Sequence, residues 1–495
     1  IMSSNNNTSN FNQAVWLGIG QLCTFAIAFL TAPIMARYFD KVEYATYKQI
    51  LYVYTSLQSL FTMGLPSVFA YFIPRINEQE QKYFINRLTM YFLIIGAVFS
   101  ISLYFSADLL ARLMNNPELA LGLKIFSPFP LFTLPAMGVE GIYNALRKAK
   151  YLAFYHVFTK ILMFLCIILP VIIWHTGYKE AIMGWGAASF ITFLVAMYMK
   201  NSPYRGIKAE TIPNVDKKIF NYSLPLTGAF IAGFFCNSAD QFFVSRYYGT
   251  QVFADFINGC FSIPIVGMVA GSVKGVLLPL FSKADEENAI GNAISSYVNA
   301  VKNSATIIAP MLLFCLVFSS DVVIALFGEK YAASSSYLRI FILRDFVSIF
   351  PYFAILMAFG FSKLYMNMHT IGAVAIWALD FVIIQFGAPS QLIMAVSTTF
   401  HIMCSVAAFI YIFKKKEVNF FNGELRSYLF RMFSHCMIVL AILFAIALLL
   451  SSINVFVKLI LFASAYYLII ILTGKLMGVN YLTSVERLIS SHKKK

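Results

Sequence analysis

Long apolar runs, separated by short polar segments, follow one another along almost the whole chain of 495 residues. Each run is about as long as the roughly 20 residues that an α-helix needs to cross a bilayer. The runs are continuous rather than alternating, which excludes the strands of a membrane β-barrel. The pattern predicts an all-α polytopic membrane protein with about fourteen transmembrane helices, numbered here as spans 1–14: 12–36, 46–73, 86–107, 124–146, 152–175, 180–199, 217–245, 251–281, 297–319, 335–361, 364–387, 389–413, 427–451 and 453–477.

Composition agrees with this interpretation. Apolar residues make up 60% of the chain and charged residues only 12%, whereas soluble domains carry roughly 25% charged residues. All seven cysteines lie within apolar runs, so we expect small core residues rather than disulfides or a metal cluster. No cofactor is expected.

The distribution of basic residues predicts the orientation. Lys and Arg are concentrated in the loops that follow even-numbered spans, in the segment 200–216 and in the tail "TSVERLISSHKKK". Because cytoplasmic loops carry an excess of Lys and Arg, this set of loops and both termini are predicted to be cytoplasmic. The net charge of +15 follows from the same bias, so it indicates membrane lipids rather than a nucleic acid as a partner.

Two short segments of the chain resemble each other. "RYFDKVEYATY" at 37–47 follows span 1, and "RYYGTQVFADF" at 246–256 follows span 7. A second pair, "LKIF" at 123–126 and "LRIF" at 338–341, opens spans 4 and 10. Both matches join spans that are six apart, which predicts two parallel six-helix repeats around a central cavity, as in alternating-access transporters.

The repeat predicts a division into lobes. The expected segments are an N-lobe with spans 1–6, an inter-lobe cytoplasmic linker, a C-lobe with spans 7–12, two extra C-terminal helices and a cytoplasmic basic tail, at 12–199, 200–216, 217–413, 427–477 and 478–495.

Several segments resemble the polysaccharide-transporter branch of the multidrug/oligosaccharidyl-lipid/polysaccharide exporter superfamily. "FNYSLPL" at 220–226 is similar to the opening of helix 7 in that branch, with Pro225 at the family's proline. "NSADQFFVSRYYGTQVFADF" at 237–256 resembles its intramembrane-Asp, Gly-turn, aromatic-Ala pattern through Asp240, Gly249 and Ala254. "ALFGEKYAAS" at 325–334 resembles the outward loop before helix 10. The first loop departs from the pattern, since Asp40 occupies the position of Gly249.

The resemblance covers about residues 12–413 and implies a function. Members of this branch are flippases that move undecaprenyl-pyrophosphate-linked oligosaccharide repeat units of O-antigen or capsule across the bacterial inner membrane. It also implies polymerase and chain-length proteins of the same pathway as partners, and leaves a coupling ion, H⁺ or Na⁺, open. Two alternatives remain, a multidrug-extrusion cation antiporter and a peptidoglycan lipid-precursor flippase.

No enzymatic motif accompanies these features. The chain contains no phosphate-binding Gly-Lys-Ser/Thr loop, no metalloprotease His-Glu pattern and no nucleophile elbow. We therefore expect a transporter that is not an enzyme and does not itself use ATP.

Charged residues inside the spans are the candidate functional residues, because charge in a membrane is costly unless it faces protein or water. Lys274 in "AGSVKGVLLP" is the most informative: it either contacts the pyrophosphate or an acidic sugar, or reaches the interface or a neighbouring acid as a structural residue. The predicted cavity residues are Lys274, Glu140, Lys160, Asp240 and Asp380. The predicted gate or rim residues are Arg37, Arg246, Lys48, Arg339 and Arg344.

Overall fold

A computed structural model describes residues 2–286, 290–450 and 453–482. Every regular element in these ranges is a helix. Most of the basic tail that the sequence predicts, from residue 483 onward, lies outside the described residues. The chain divides into two compact units, Ile1–Ala254 and Asp255–Lys495, which we call unit 1 and unit 2. The proposed lobe boundary at 200–216 stays a prediction.

The helices of unit 1 are α1 Met2–Tyr38, α2 Lys41–Phe61, α3 Leu65–Phe72, α4 Glu78–Leu113, α5 Glu118–Phe126, α6 Pro130–Ala136, α7 Val139–Ala145, α8 Ala149–Trp174, α9 Tyr178–Asn201 and α10 Val215–Tyr248. Helix α11, Thr250–Gly259, crosses the boundary between the units. Unit 2 continues with α12 Pro264–Glu286, α13 Ile290–Val317, α14 Ser319–Phe327, α15 Ser334–Phe346, α16 Tyr352–Ala358, α17 Ser362–Gln385, α18 Gln391–Lys416, α19 Gly423–Leu449 and α20 Val455–Gly474.

The membrane-protein class is confirmed, whereas the count of fourteen spans is not. Within the described residues, ten helices are long and apolar enough to cross a bilayer, or twelve if two bent pairs each count as one span. The bent pairs join α2 to α3 and α5 to the segment 130–145, with angles of 53° and 51°. The predicted spans 2, 4, 8 and 10 are therefore not single straight helices but successive helical segments.

Glycine and proline explain the breaks in unit 1. Gly64 takes φ +68° directly before α3, and Pro66 occupies the first turn of that helix. Gly138 takes φ +94° between α6 and α7, and a Cβ there would lie 2.2 Å from the ring of Phe69. A side chain at position 138 is thus disfavoured by the backbone conformation and by the contact, so glycine permits the break between α6 and α7. The bend of 51° lies earlier, between Phe126 and Pro130, and Pro130 occupies the first turn of α6.

Aromatic clusters form the cores of both units. In unit 1, Tyr54 packs against Phe126 and against Trp185, with ring centroids 4.9 and 5.6 Å apart. In unit 2, Phe420 packs against Tyr297 with a centroid distance of 4.8 Å, and against Phe409. These rings join segments that are distant in sequence within each unit.

Candidate functional site

Two predicted residues of unit 1, Lys48 and Lys160, line the same pocket. The pocket has a volume of about 210 Å³ and is formed by residues of α1, α2, α8 and α9. Both lysines are half-buried. The sequence placed Lys160 in a cavity and Lys48 at a rim; both assignments stay predictions, but the fold brings the two side chains to one place.

Glu140 and Arg37 lie elsewhere in unit 1. Glu140 is exposed in the first turn of α7, and its charge interacts with His156, one helical turn before Lys160 in α8. Arg37 is exposed in the last turn of α1. This turn lies directly before Asp40, the residue that caps α2.

Asp240 is 8% exposed on α10 and interacts electrostatically with Tyr52 of α2. The hydroxyl of Tyr52 donates a hydrogen bond of 3.0 Å to the carbonyl oxygen of Ser238. One turn earlier on α2, the side chain of Gln49 donates to the hydroxyl of Ser245 at 2.7 Å. Asp240 therefore belongs to a buried polar seam between α2 and α10.

Arg246 is anchored to the end of another helix. Its Nη1 donates hydrogen bonds to the carbonyl oxygens of Arg112 and Leu113, at 2.7 and 2.9 Å, where α4 ends. A cation is favourable there because the last carbonyls of a helix lack intrahelical donors and carry partial negative charge. The structural role of Arg246 is thus explained within unit 1, and its gate role stays a prediction.

Lys274 lies on an open face of α12 in unit 2. Its side chain is exposed, and its ammonium group lies 5.9 Å from the centroid of the Phe353 ring. Among the described residues, no hydrogen-bond acceptor or carboxylate pairs with it. Gly267 and Gly271 share its face, seven and three residues earlier in the helix, and a Cβ on either of them would meet nothing within 4 Å.

The other charged residues of unit 2 occupy different environments. Asp380 is fully buried on α17. Arg339 is exposed, and its Nε donates a hydrogen bond of 2.6 Å to the hydroxyl of Ser319 at the start of α14. Arg344, on α15, interacts electrostatically with His401 of α18. Unit 2 therefore places Arg344 near a histidine and leaves Lys274 with an aromatic ring.

The sequence did not predict that two polar residues and their partners are buried. Lys200 is 1% exposed and donates a hydrogen bond of 2.6 Å to the carbonyl oxygen of Pro135, at the broken end of α6. The side chain of Asn116 donates to Gln49 at 2.6 Å and to Thr46 at 2.8 Å. Lys200 follows an apolar run, as an interfacial lysine would, and Asn116 lies in a loop, so neither position signals burial in the sequence.

The described residues contain no group of three metal-ligating side chains, and all seven cysteines are free thiols. The charged side chains are instead mostly ammonium and guanidinium groups, which can bind anions. A few carboxylates accompany them. Such an arrangement can bind and release charged groups through electrostatics and hydrogen bonds.

Comparison with known proteins identifies relatives of this chain. The family model described as polysaccharide biosynthesis protein matches residues 11–285, which is more than half of the chain. The succinoglycan biosynthesis transport protein ExoT of Rhizobium meliloti (strain 1021) is 24% identical over 329 residues, or 64% of this chain. The chain spans 62% of the length of that relative.

Solved structures share the fold at low sequence identity. The lipid II flippase MurJ in an inward closed conformation matches with a TM-score of 0.69 and 16% identity, over 94% of this chain and 100% of that one. An inward-facing multidrug resistance MATE family transporter of the MOP superfamily matches with a TM-score of 0.62 and 14% identity, over 81% and 97% of the two chains. A MOP superfamily transporter from Pyrococcus furiosus, described by the reverse polarity of its binding pocket, gives 0.57 and 16%, over 81% and 94%.

Proposed function

The chain belongs to the polysaccharide biosynthesis protein family, and on that premise we propose that it is a flippase for lipid-linked oligosaccharides. The proposed substrate is an undecaprenyl-pyrophosphate-linked repeat unit of O-antigen or capsule. The protein moves it from the inner to the outer leaflet of the bacterial inner membrane by alternating access, with both termini in the cytoplasm. The relative named for succinoglycan transport and the fold shared with a lipid II flippase support this class of substrate.

One observation carries the proposal beyond the family: Lys274 is exposed in an apolar helix and has no hydrogen-bond or ion-pair partner among the described residues. Helix α12 is long and apolar enough to cross a membrane, and Gly267 and Gly271 leave the helix face around Lys274 open. Charge at such a position is costly unless it serves an interaction with a polar ligand or water. An open face with a single cation suits a large anionic substrate that has to bind and then leave.

The electrostatics of the substrate fit this position. A diphosphate brings at least two negative charges into a medium of low dielectric constant, which is unfavourable without a counter-charge. A nearby ammonium group offsets part of this cost, by about 4 kcal/mol for one pair of unit charges at 4 Å and an effective dielectric constant near 20. One cation rather than a dense cluster also lets the substrate dissociate.

Two other substrates remain in view. A multidrug antiporter shares the fold, but cationic drugs favour an acidic face, and the open face of α12 carries a lysine. A peptidoglycan lipid precursor is the second candidate, because the structure with a TM-score of 0.69 is that of a lipid II flippase. Such a precursor is also a polyprenyl diphosphate, so Lys274 would serve it in the same way.

The proposed role of Lys274 is tested by export of surface polysaccharide in a deletion strain complemented with variants. Lys274→Ala should reduce surface polysaccharide severalfold at wild-type protein levels, because the counter-charge is lost, whereas Lys274→Arg should retain part of the export. Lys363→Ala, at an exposed lysine in the first turn of α17, is the matched control and should export normally.

A second measurement keeps the test decisive. Lys274→Cys, in a background without the seven native cysteines, should react with a small charged thiol reagent in membranes. An inert cysteine together with normal export by Lys274→Ala would contradict the proposed role of Lys274. Normal surface polysaccharide in the deletion strain itself would contradict the flippase function.

A further inference from the structure

We propose that the pocket between α1, α2, α8 and α9 of unit 1 is an anion site that takes a phosphate or diphosphate group between Lys48 and Lys160. The pocket holds about 210 Å³, enough for several water-sized groups but not for an oligosaccharide chain. All residues that line this pocket belong to unit 1, whereas Lys274 belongs to unit 2.

The two lysines line the pocket from positions inside α2 and α8, away from the ends of both helices. Lys48 lies about two turns into α2, and Lys160 lies near the middle of α8, eleven residues after its start at Ala149. Among the described residues, neither ammonium group has a hydrogen-bond or ion-pair partner. The ammonium group of Lys48 lies 5.4 Å from the centroid of the Tyr44 ring. Burial of an ammonium group in an apolar pocket is unfavourable, and a bound anion would offset part of that cost.

The other polar groups of the lining favour the same charge. Trp185 lines the pocket, and its buried indole Nε1, which can only donate, has no hydrogen-bond partner in the part of the chain that the structure describes. The hydroxyl of Thr31 donates to the carbonyl oxygen of Ile27 and is occupied. The hydroxyl of Tyr47 also belongs to the lining and can donate. The pocket therefore offers two cations and further donors, and a phosphate supplies the acceptors they lack.

No acidic residue belongs to this lining. The four helices contain only two acidic residues between them, Glu43 and Glu180, at their first turns. Both line a different pocket, together with Glu118. Glu140 interacts with His156, one turn from Lys160, but forms no ion pair with Lys160 within the described part of the chain. The charge balance of the pocket thus favours an external anion.

The first experiment measures binding of inorganic pyrophosphate to the purified full chain in phospholipid-free detergent, by thermal unfolding at constant ionic strength. Wild-type protein should be stabilised at concentrations at which equal ionic strength of chloride has no effect. Lys48→Gln and Lys160→Gln should each weaken the apparent affinity about tenfold, and the double variant should lose the response. Lys148→Gln, at the exposed residue that precedes α8, is the matched control and should respond like the wild type.

A conservative variant guards against loss of folding. Trp185→Phe preserves an aromatic ring in the pocket and removes the indole donor. Pyrophosphate should change the tryptophan fluorescence of the wild type, and Trp185→Phe should abolish that change while retaining weaker stabilisation. Stabilisation of Lys48→Gln/Lys160→Gln equal to that of the wild type, or a fluorescence change that survives in Trp185→Phe, would overturn the anion site.

Two further binding experiments identify the source of the phosphate group. The first of them uses a polyprenyl diphosphate, a choice that rests on the proposed function. One arm uses undecaprenyl diphosphate in detergent, and the other compares nanodiscs of phosphatidylglycerol and phosphatidylcholine. A lysine-dependent response to the polyprenyl diphosphate assigns the pocket to the transported lipid, and one confined to phosphatidylglycerol assigns it to a membrane lipid headgroup. If no probe gives a lysine-dependent response, the pocket is not an anion site.

Failure of this inference and failure of the proposed function give different results. Normal surface polysaccharide in the deletion strain would end the flippase proposal but leave pyrophosphate binding by Lys48 and Lys160 unchanged. Loss of polysaccharide in that strain, together with lysine-independent binding, would end the anion-site inference alone.

Discussion

The segments 37–47 and 246–256 share a sequence pattern and a burial pattern but connect their helices by different means. In the first, Tyr44 and Ala45 are completely buried and Tyr47 is 4% exposed. In the second, the equivalent Phe253 and Ala254 are completely buried and Phe256 is 1% exposed. The aromatic-Ala-x-aromatic pattern is therefore the buried face of the first turns of a helix in both places.

The first segment starts its helix with a side-chain cap. Asp40 has φ −69° and ψ 170°, and its carboxylate accepts hydrogen bonds of 2.8 Å from the backbone N–H groups of Val42 and Glu43. The carbonyl oxygen of Asp40 accepts the first bond of the helix from Tyr44. An acidic N-cap of this kind satisfies free donors and complements the helix dipole.

The second segment starts its helix with an unusual backbone conformation. Gly249 has φ +86° and ψ 168°, a region that is essentially restricted to glycine. Its carbonyl oxygen nevertheless accepts the equivalent first bond, from the N–H of Phe253. At the position that starts the helix, the first turn has aspartate and the second has glycine. The buried positions after the turn are thus preserved, while the helix is started in two different ways.

The largest effect is expected at Gly249. Gly249→Ala should lower the free energy of unfolding by about 1–3 kcal/mol, because alanine is strained at this φ and ψ. A Cβ at this position would meet nothing within 4 Å, so the cost arises from the backbone alone. Denaturant-induced unfolding in mixed micelles measures the change.

Gly291→Ala is the matched control for that substitution. Gly291 lies in the first turn of α13, and a Cβ there would also meet nothing within 4 Å. It does not have a positive φ, so alanine should be neutral or stabilising. Equal stability of Gly249→Ala and the wild type would contradict the assignment of a glycine-only turn.

An intermediate effect is expected at Asp40. Asp40→Ala removes both side-chain acceptors and should lower the free energy of unfolding by about 1 kcal/mol. Asp40→Asn keeps an acceptor oxygen and should recover most of the loss. The same unfolding measurement compares the two variants; equal losses in both would show that the cap bonds contribute nothing measurable.

The smallest effect is expected from Asp40→Gly, which makes the first turn like the second at this position. Glycine can adopt φ −69°, and glycine at an N-cap costs only a few tenths of a kcal/mol. The reciprocal change Gly249→Asp should cost about as much as Gly249→Ala, because aspartate does not enter the region of Gly249. Unfolding measurements on both variants should therefore show a small loss of stability for Asp40→Gly and a large one for Gly249→Asp. Similar losses of stability in the two variants would contradict the distinction between the two turns.

Much of this protein follows from local sequence. The apolar runs predicted the membrane-protein class and an all-helical fold, because each span is apolar over its own length whatever its neighbours are. The repeated segment predicted two equivalent turns, and the burial of Ala45 and Ala254 agrees with it. The helix breaks at Gly64 and Gly138 occur at glycines with a positive φ, but they were not predicted, since glycines are also common within membrane helices.

The environments of the charged residues were decided by tertiary structure. Lys48 and Lys160 meet in one pocket only because α2 and α8 both border it, and Arg246 finds its acceptors at the end of α4. Lys200 is buried because the chain breaks at Pro135 and exposes a carbonyl oxygen to it. Hydropathy and capping act between residues a few positions apart, so the sequence alone determines them. The partner of a charge in a membrane helix comes from residues many helices away, and only the packing of those helices decides which it is.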